Sequence, residues 1–242
     1  MTEEKVMFSR IFKTLEFREQ FLDGRIFMNP LGFFKSYDEE VKGNISDSHE
    51  GAYKVSDAKF LKMSINNNLI ESANIIGPVV FSHKWTECVN IVCLTIIKPI
   101  RIRWNNNPYD TSGIQTTCHY CLQEGAELLG DFGLIITDPY EFLKRLKVAL
   151  DLKYSSKEIN DYKAKSVTYY SDKNVYINLN EFDFGAVFYK NDKYKHQNEF
   201  RIAVDRLMVE QEPYVLEIGS IRDICIALDA RDKTQIEKIY YL

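Results

Sequence analysis

Residues 194–205 read YKHQNEFRIAVD, and this stretch decides which kind of sheet the chain builds. Apolar and polar side chains alternate along it, and successive side chains of a strand point to opposite faces. The pattern predicts a strand that buries one apolar face in the core. The other face would carry a polar row: Gln197, Glu199 and Arg201. Such a row is either a solvated or salt-bridged strand face or a site, and the residues alone leave both interpretations open.

The bulk composition describes one globular domain. The chain has 242 residues, of which 45% are hydrophobic and 27% charged, enough for one large core. We therefore predict a single domain over residues 1–242, with an inserted subregion at about residues 104–125, where RWNNNPYDTSG is rich in turn residues. The net charge of −4 argues against wrapping a long polyanion by charge alone, whereas a short nucleic-acid segment in a local pocket stays compatible with it.

Compartment and metal content follow from the termini and the cysteines. The N-terminal MTEEKVMFSR is acidic where a secretory signal is basic, and no apolar run approaches the roughly 20 residues that span a bilayer, so we expect a cytoplasmic protein without membrane contact. Zinc is considered because Cys118, His119 and Cys121 lie close together, with Cys88 and Cys93 upstream. Cys93 lies in an apolar run and fits a small buried side chain better, so no metal is expected.

The order of elements predicts an α+β fold with a mixed, largely antiparallel sheet and few helices. KVMFSRIF and RIFMN are strand-like and flank a helix that Thr14 caps and Gly24 ends. A second helix begins at Asp138, is followed by proline at its first position, and should run to about Leu150. A third, short helix is predicted at residues 155–162, and DKTQIEKIYY predicts a helix at the C-terminus.

The polar row has chemistry that suits a sugar. A carboxylate beside a ribose can hold the 2′-hydroxyl and stabilise positive charge at the anomeric carbon while a glycosidic bond breaks, and Glu199 can supply it. Gln197 is a neutral donor and acceptor that can orient a nucleophile or an amide leaving group.

Two resemblances extend this interpretation. A strand with a basic residue, a helix, a glycine and a strand, followed late by Gln/Glu-x-Glu, resembles the ADP-ribosyltransferase superfamily and implies its split sheet. GRIFMNPLGFF, DSHEG, FGLIITDPYEFLKRL and YKHQNEFRI together resemble an uncharacterised bacterial family, whose C-terminal hallmark is an aromatic residue, Glu-x-Glu, an aromatic residue and arginine.

The superfamily resemblance implies roles for individual residues. Glu199 would be the catalytic glutamate and Gln197 would help to choose the acceptor. NAD would be the substrate, held by a cofactor-binding set: Arg10, Ser9, Asn29 and Tyr189. Arginine suits a ribose or phosphate because its planar fork grips two oxygens, so we expect Arg10 and Glu199 to face one pocket. The superfamily usually also has a serine, threonine or tyrosine motif on a middle strand. Ser171 and Tyr189 are both candidates for this middle motif.

The resulting hypothesis is an NAD-dependent ADP-ribosyltransferase, as a bacterial toxin or phage-defence effector. It would modify a protein side chain or a nucleic-acid base, and an antitoxin or regulatory protein would be a further partner. One alternative is a metal-dependent nuclease or phosphodiester hydrolase built from a carboxylate and histidine set: Asp47, His49, Glu50 and Glu199. Another is a non-catalytic nucleotide sensor, which a ligand-dependent rise in melting temperature would reveal.

Overall fold

The computed structural model describes residues 6–35, 49–75, 77–104, 115–119, 122, 128–171, 177–180 and 182–230. The α-helices in this part of the chain are α1 (Leu15–Leu22), α2 (Leu31–Lys35) and α3 (Pro139–Ser155). The strands are β1 (Met7–Phe12), β2 (Arg25–Pro30), β3 (Ala52–Asp57), β4 (Met63–Ile65), β5 (Asn68–Ile70), β6 (Pro78–Ser82), β7 (Asn90–Ile97), β8 (Ile100–Trp104), β9 (Gln115–His119), β10 (Phe132–Ile136), β11 (Asp161–Ser166), β12 (Thr168–Tyr170), β13 (Tyr189–Asn191), β14 (Glu199–Asp205), β15 (Tyr214–Glu217) and β16 (Cys225–Asp229).

An eight-stranded sheet organises the fold, in the order β11-β14-β7-β1-β10-β16, with β2 also pairing β7 and β15 pairing β2. Every pairing within this sheet is antiparallel. The predicted α+β class and the largely antiparallel sheet are therefore confirmed.

The sheet forks along one edge of β7. β14 occupies the other edge of β7 over its whole paired length, from Thr95 to Asn90. On the forked edge, β1 pairs the end of β7 through Ser9 and Thr95, and β2 pairs its beginning through Asn29 and Ile91. Between these two pairings lies a short stretch of β7 that pairs with neither β1 nor β2 on this edge.

The connection between β1 and β2 follows the sequence prediction closely. The Thr14 hydroxyl accepts a hydrogen bond from the Phe17 amide at 3.3 Å and so caps α1. Gly24 ends the helix with φ of +88°, and a Cβ at this position would lie 1.9 Å from the Gly219 carbonyl oxygen. Only glycine fits there, because both the left-handed backbone and the close approach exclude a side chain.

Helix α3 begins as predicted but ends later. The Asp138 carboxylate accepts from the Glu141 amide at 3.0 Å, and the helix continues to Ser155 instead of Leu150. The predicted helix at 155–162 is wrong. Lys157 adopts a left-handed conformation with φ of 61°, which turns the chain, and β11 then begins where its backbone can pair β14.

The two faces of the sheet are covered differently. Helices α1 and α3 pack on one face, where Phe8, Phe142 and Ile202 belong to the largest apolar core. Helix α2 and a 3-10 helix, Phe184–Phe188, contribute to a smaller core on the other face, together with Ile91 and Ala203. We call the second one the small-core face.

Two sequence predictions fall largely outside the described residues. Of the inserted subregion, the structure describes residue 104 at the end of β8, all of β9 and residue 122, and β8 and β9 pair as an antiparallel two-stranded sheet. Cys121 and the predicted C-terminal helix lie outside the described residues. Among the helices that are described, none combines the length and the apolar character needed to cross a membrane.

Candidate functional site

The polar row predicted on β14 is shorter than expected. Gln197 ends a 3-10 helix, Asp192–Gln197, and Asn198 follows with φ of 43° and ψ of 52°. This left-handed residue breaks the alternation, so β14 begins only at Glu199 and the placement of Gln197 on the strand is wrong. The Asn198 side chain donates to the Ile96 carbonyl at 2.5 Å, which ties the break to the end of β7.

Glu199 and Arg201 are buried, with 5% and 1% of their surface exposed, so this face is not solvated, but their ion pair agrees with the salt-bridged interpretation. Both point to the small-core face, since they alternate with Phe200 and Ile202 on β14. The Arg201 Nε atom donates to Glu199 Oε1 at 2.7 Å. Arg201 Nη1 donates to the Val187 carbonyl, so the 3-10 helix above the strand covers the guanidinium.

A second cation enters from β13. The Lys190 Nζ atom lies 2.8 Å from Glu50 Oε1 and 3.3 Å from Glu199 Oε2. It also donates to Gln197 Oε1 at 2.8 Å, which brings Gln197 to Glu199 without a shared strand. Two cations and two carboxylates are thus buried together. We call this set the charge cluster: Glu50, Lys190, Glu199 and Arg201.

Glu50 takes a different place from the one expected in a metal site. Its Oε1 atom lies 3.3 Å from Arg201 Nη2, and its Oε2 atom is buried without a hydrogen-bond partner among the described residues. The His49 side chain is exposed, and Asp47 lies outside the described residues. Within the described chain, no group of three or more histidine, cysteine, aspartate or glutamate side chains is arranged to hold a metal ion.

The charge cluster keeps its members ionised. Burial alone would raise the pKa of the Glu199 carboxyl, but the charges of Arg201 and Lys190 and hydrogen bonds to Cys93 and Arg201 hold that pKa at about 2. Burial likewise opposes the charge on Lys190, yet Glu199 and Glu50 raise its pKa above the ordinary value. Glu199 is therefore an anion at every physiological pH.

Cys93 connects the charge cluster to the centre of the sheet. It pairs with Arg201 across β7 and β14, and its thiol is within hydrogen-bonding reach of the Glu199 carboxylate. Burial, followed by the negative charge of Glu199, raises the pKa of Cys93 to about 12. The thiol is therefore a protonated donor, not a nucleophile.

Arg10 approaches Cys93 from the other face of the sheet. On β1 it alternates with Ser9 and shares the face of Phe12, whose ring centroid lies 5.4 Å from the guanidinium carbon. Its Nη1 atom donates to the Cys93 carbonyl at 2.6 Å, inside the fork. Burial lowers the pKa of Arg10. The prediction that Arg10 and Glu199 face one pocket is wrong, because β1 and β14 direct them to opposite faces.

Two of the remaining predicted cofactor-binding residues, Ser9 and Asn29, lie on the small-core face. Ser9 pairs with Thr95, and Thr95 pairs with Glu199, so these three lie in one row on the small-core face. Asn29 pairs with Ile91 and points to the same face, farther along β7.

The two candidates for the middle motif belong to neighbouring segments but are not cross-strand partners, since Tyr189 pairs with Thr168. Tyr189 begins β13, which pairs in parallel with β12, and Ser171 follows the end of β12. The Tyr189 ring packs against a separate apolar cluster that includes Val55 and Tyr170. The side chain of Lys190 points to the opposite face of β13. Lys190, rather than Tyr189, therefore contacts the charge cluster.

Two members of the site were missed from the sequence. Lys190 follows the apolar run GAVFY, and a lysine that ends such a run is a candidate for a buried, paired cation. Tyr169 is the other: its hydroxyl accepts a hydrogen bond from the Glu199 amide at 2.9 Å. No local pattern in the sequence points to that contact.

The arrangement holds an ionised carboxylate in a fixed position, with an amide beside it, inside a cluster whose two cations balance its two carboxylates. Because buried cations hold Glu199, its carboxylate needs no reorganisation before a ligand arrives. Gln197 is partly buried at the edge of the charge cluster. Family models, curated proteins and solved structures were compared with the chain, and none of them matches it.

Proposed function

We propose that the chain is an NAD-dependent ADP-ribosyltransferase with Glu199 as its catalytic carboxylate. The observation that carries the proposal is the charge cluster, which keeps Glu199 anionic with a pKa of about 2 and joins it to Gln197 through Lys190. A preorganised carboxylate beside the anomeric carbon would stabilise an oxocarbenium-like transition state.

The proposed reaction exchanges one bond at the ribose. The bond between the anomeric carbon and the nicotinamide nitrogen breaks, and nicotinamide leaves with the electron pair. Glu199 stabilises the positive charge that spreads over the anomeric carbon and the ring oxygen. A nucleophilic atom of the acceptor then bonds to the anomeric carbon and loses its proton to solvent. Gln197, whose carbonyl oxygen is held by Lys190, orients that acceptor.

The proposal assigns Arg10 to the fold instead of to NAD. Ser9 and Asn29 share the face of Glu199 and are the candidates for contacts with the sugar, whereas Tyr189 packs elsewhere. The acceptor is a macromolecule, in the setting of a bacterial toxin or phage-defence effector that an antitoxin or regulatory protein restrains in the cytoplasm.

One observation favours a chain without catalytic activity, for which a nucleotide sensor is the second candidate function. Glu199 is engaged by Arg201, Lys190 and the Cys93 thiol together, which is also what a purely structural carboxylate requires. Metal-dependent hydrolysis is less well supported, since the cations that hold Glu50 and Glu199 occupy the positions where a divalent ion would need their oxygens.

The test measures nicotinamide release from NAD in the presence of a bacterial lysate. Glu199→Gln should reduce the rate at least about a hundredfold. The matched control is Glu50→Gln, because it removes the other carboxylate of the same charge cluster. It should lower the rate of nicotinamide release per folded molecule less than about tenfold. Circular dichroism and melting temperature report the folded fraction of each variant.

Three results separate the candidates. Equal nicotinamide release by the wild type and by folded Glu199→Gln overturns the transferase mechanism. A wild type that releases no nicotinamide but melts higher in NAD is the sensor. Gln197→Ala keeps every charge of the cluster and should retain NAD cleavage while it lowers transfer to the acceptor.

A further inference from the structure

A row of lysines follows the edge of the sheet beside the charge cluster. β11 is the terminal strand of the eight-stranded sheet, and Lys163 and Lys165 lie opposite Ala203 and Arg201 of β14. Cross-strand partners point to the same face, so both lysines project on the side where Glu199 lies. Lys165 is exposed and Lys163 is partly exposed.

The segment before Gln197 continues this basic surface. Lys193, Lys195 and His196 are all exposed on the 3-10 helix that ends at Gln197. That helix packs against β12, which follows β11 after a single residue. We call the combined surface the basic rim: Lys163, Lys165, Lys193, Lys195 and His196.

Aromatic rings beneath the rim hold several ammonium groups in place. The Lys163 Nζ atom lies 5.1 Å from the ring centroid of Phe184, and Lys165 Nζ lies 4.9 Å from that of Phe188. Lys193 is similarly placed over Tyr194 at 4.8 Å. These contacts restrict side-chain rotation before any ligand arrives, which lowers the entropy cost of a phosphate contact.

The local charge differs in sign from the charge of the chain. The chain carries a net charge of −4, whereas the four lysines of the rim outnumber the partly or fully exposed acidic residues beside them among the described residues, Asp161, Asp183 and Asp192. Asp183 approaches Lys163 only at 3.8 Å. Lysines on an edge strand can simply prevent unwanted sheet pairing, but that role does not apply to Lys193 and Lys195, which lie on a 3-10 helix.

We propose that the basic rim binds the phosphate backbone of a single-stranded nucleic acid and presents one of its bases as the acceptor. The binding stands on the rim itself, and the base as acceptor rests on the proposed function. A single strand is required, because a base in a duplex cannot reach a buried carboxylate without leaving its stack. The rings of Phe184 and Phe188 are buried beneath the lysines, so the rim itself contacts the strand through its ammonium groups, which bind phosphates.

The experiment measures binding of fluorescent 20-nucleotide single-stranded DNA and RNA by anisotropy, over a range of salt concentrations. The double variant Lys163→Gln, Lys165→Gln should bind about tenfold more weakly, and the slope of log affinity against log salt should fall by about 1.4. The matched control is Lys144→Gln, Lys147→Gln, two exposed lysines of α3 that should leave binding unchanged.

The outcomes distinguish this inference from the proposed function. Binding that depends on the rim and persists in Glu199→Gln supports the inference, even where no nicotinamide is released. Equal weakening by the rim and control variants overturns it, as does binding of poly-glutamate with the affinity of the oligonucleotides. A Lys163→Arg, Lys165→Arg variant should keep the wild-type affinity, because arginine retains the charge.

Discussion

The Arg10 guanidinium donates to the Cys93 carbonyl oxygen at 2.6 Å, at the point where β7 exchanges β1 for β2 as its neighbour. A strand in the middle of a sheet normally has this oxygen satisfied by the next backbone. Here the fork leaves the position open, and a side chain from β1 completes the hydrogen bonding. Arg10 therefore acts as a structural substitute for a missing strand residue.

Replacement of Arg10 should destabilise the fold more than it changes the chemistry. Arg10→Met keeps apolar contact with Phe12 and Phe21 but leaves the Cys93 carbonyl without its donor, which should lower the free energy of unfolding by about 1–3 kcal/mol. Urea denaturation measures the loss, and Arg10→Lys should recover part of it. A variant of wild-type stability that no longer releases nicotinamide would instead make Arg10 a ligand-binding residue.

Removal of one buried cation should strongly destabilise the fold. Arg201→Met leaves Glu199 and Glu50 short of positive charge and should lower the free energy of unfolding by about 3–5 kcal/mol. The control is Arg25→Met at the exposed pair with Glu217, where the change should be too small to resolve. Similar urea midpoints for the two variants would contradict a buried, mutually dependent cluster.

Acid should weaken the fold through Glu199. The folded-state pKa of about 2 lies below the value near 4.3 that is usual for glutamate, so the contribution is fully present above about pH 5 and is lost as the pH falls towards 2. It amounts to about 3 kcal/mol when complete. Urea denaturation of the wild type and Glu199→Gln between pH 7 and pH 3 measures it. The gap between them should narrow with acidity, and a constant gap would argue against the depressed pKa.

The left-handed residue before β14 offers a test of how Gln197 is placed. Asn198→Gly tolerates φ of 43° and loses only the side-chain bond to the Ile96 carbonyl, whereas Asn198→Ala also strains the backbone. The alanine variant should therefore be less stable than the glycine variant by about 1 kcal/mol. Thermal unfolding of both variants checks the difference, and equal losses would assign the whole effect to the side-chain bond.

Local patterns predicted the framework of the fold but not its site. The caps at Thr14 and Asp138 and the apolar face of β14 depend on neighbours a few residues away, and each is present in the structure. Phe8, Arg10 and Phe12 occupy every second position of β1, so the sequence also indicates that Arg10 lies on the face of the largest apolar core. The superfamily resemblance instead implied a place for Arg10 beside Glu199.

The charge cluster could not be read from spacing. Lys190 and Glu50 are far apart in the chain and meet only because β13 and the segment before β3 are both folded onto the small-core face. The misplacement of Gln197 has a local cause, since the two-residue alternation is the same whether or not Asn198 is left-handed. A left-handed backbone conformation at an asparagine does not change the hydrophobic pattern of the sequence.

The contact between Glu50 and Arg201 joins residues that are 151 positions apart. During synthesis on a ribosome, Glu50 emerges long before the cations that neutralise it, Lys190 and Arg201. One edge of β7 lacks its partner strand until β14 has been synthesised. A nascent chain that ends before residue 190 thus combines a central strand that lacks the partner on one edge with an uncompensated acid. Completion of the small-core face is accordingly a late event, reached only when the last third of the polypeptide has left the tunnel.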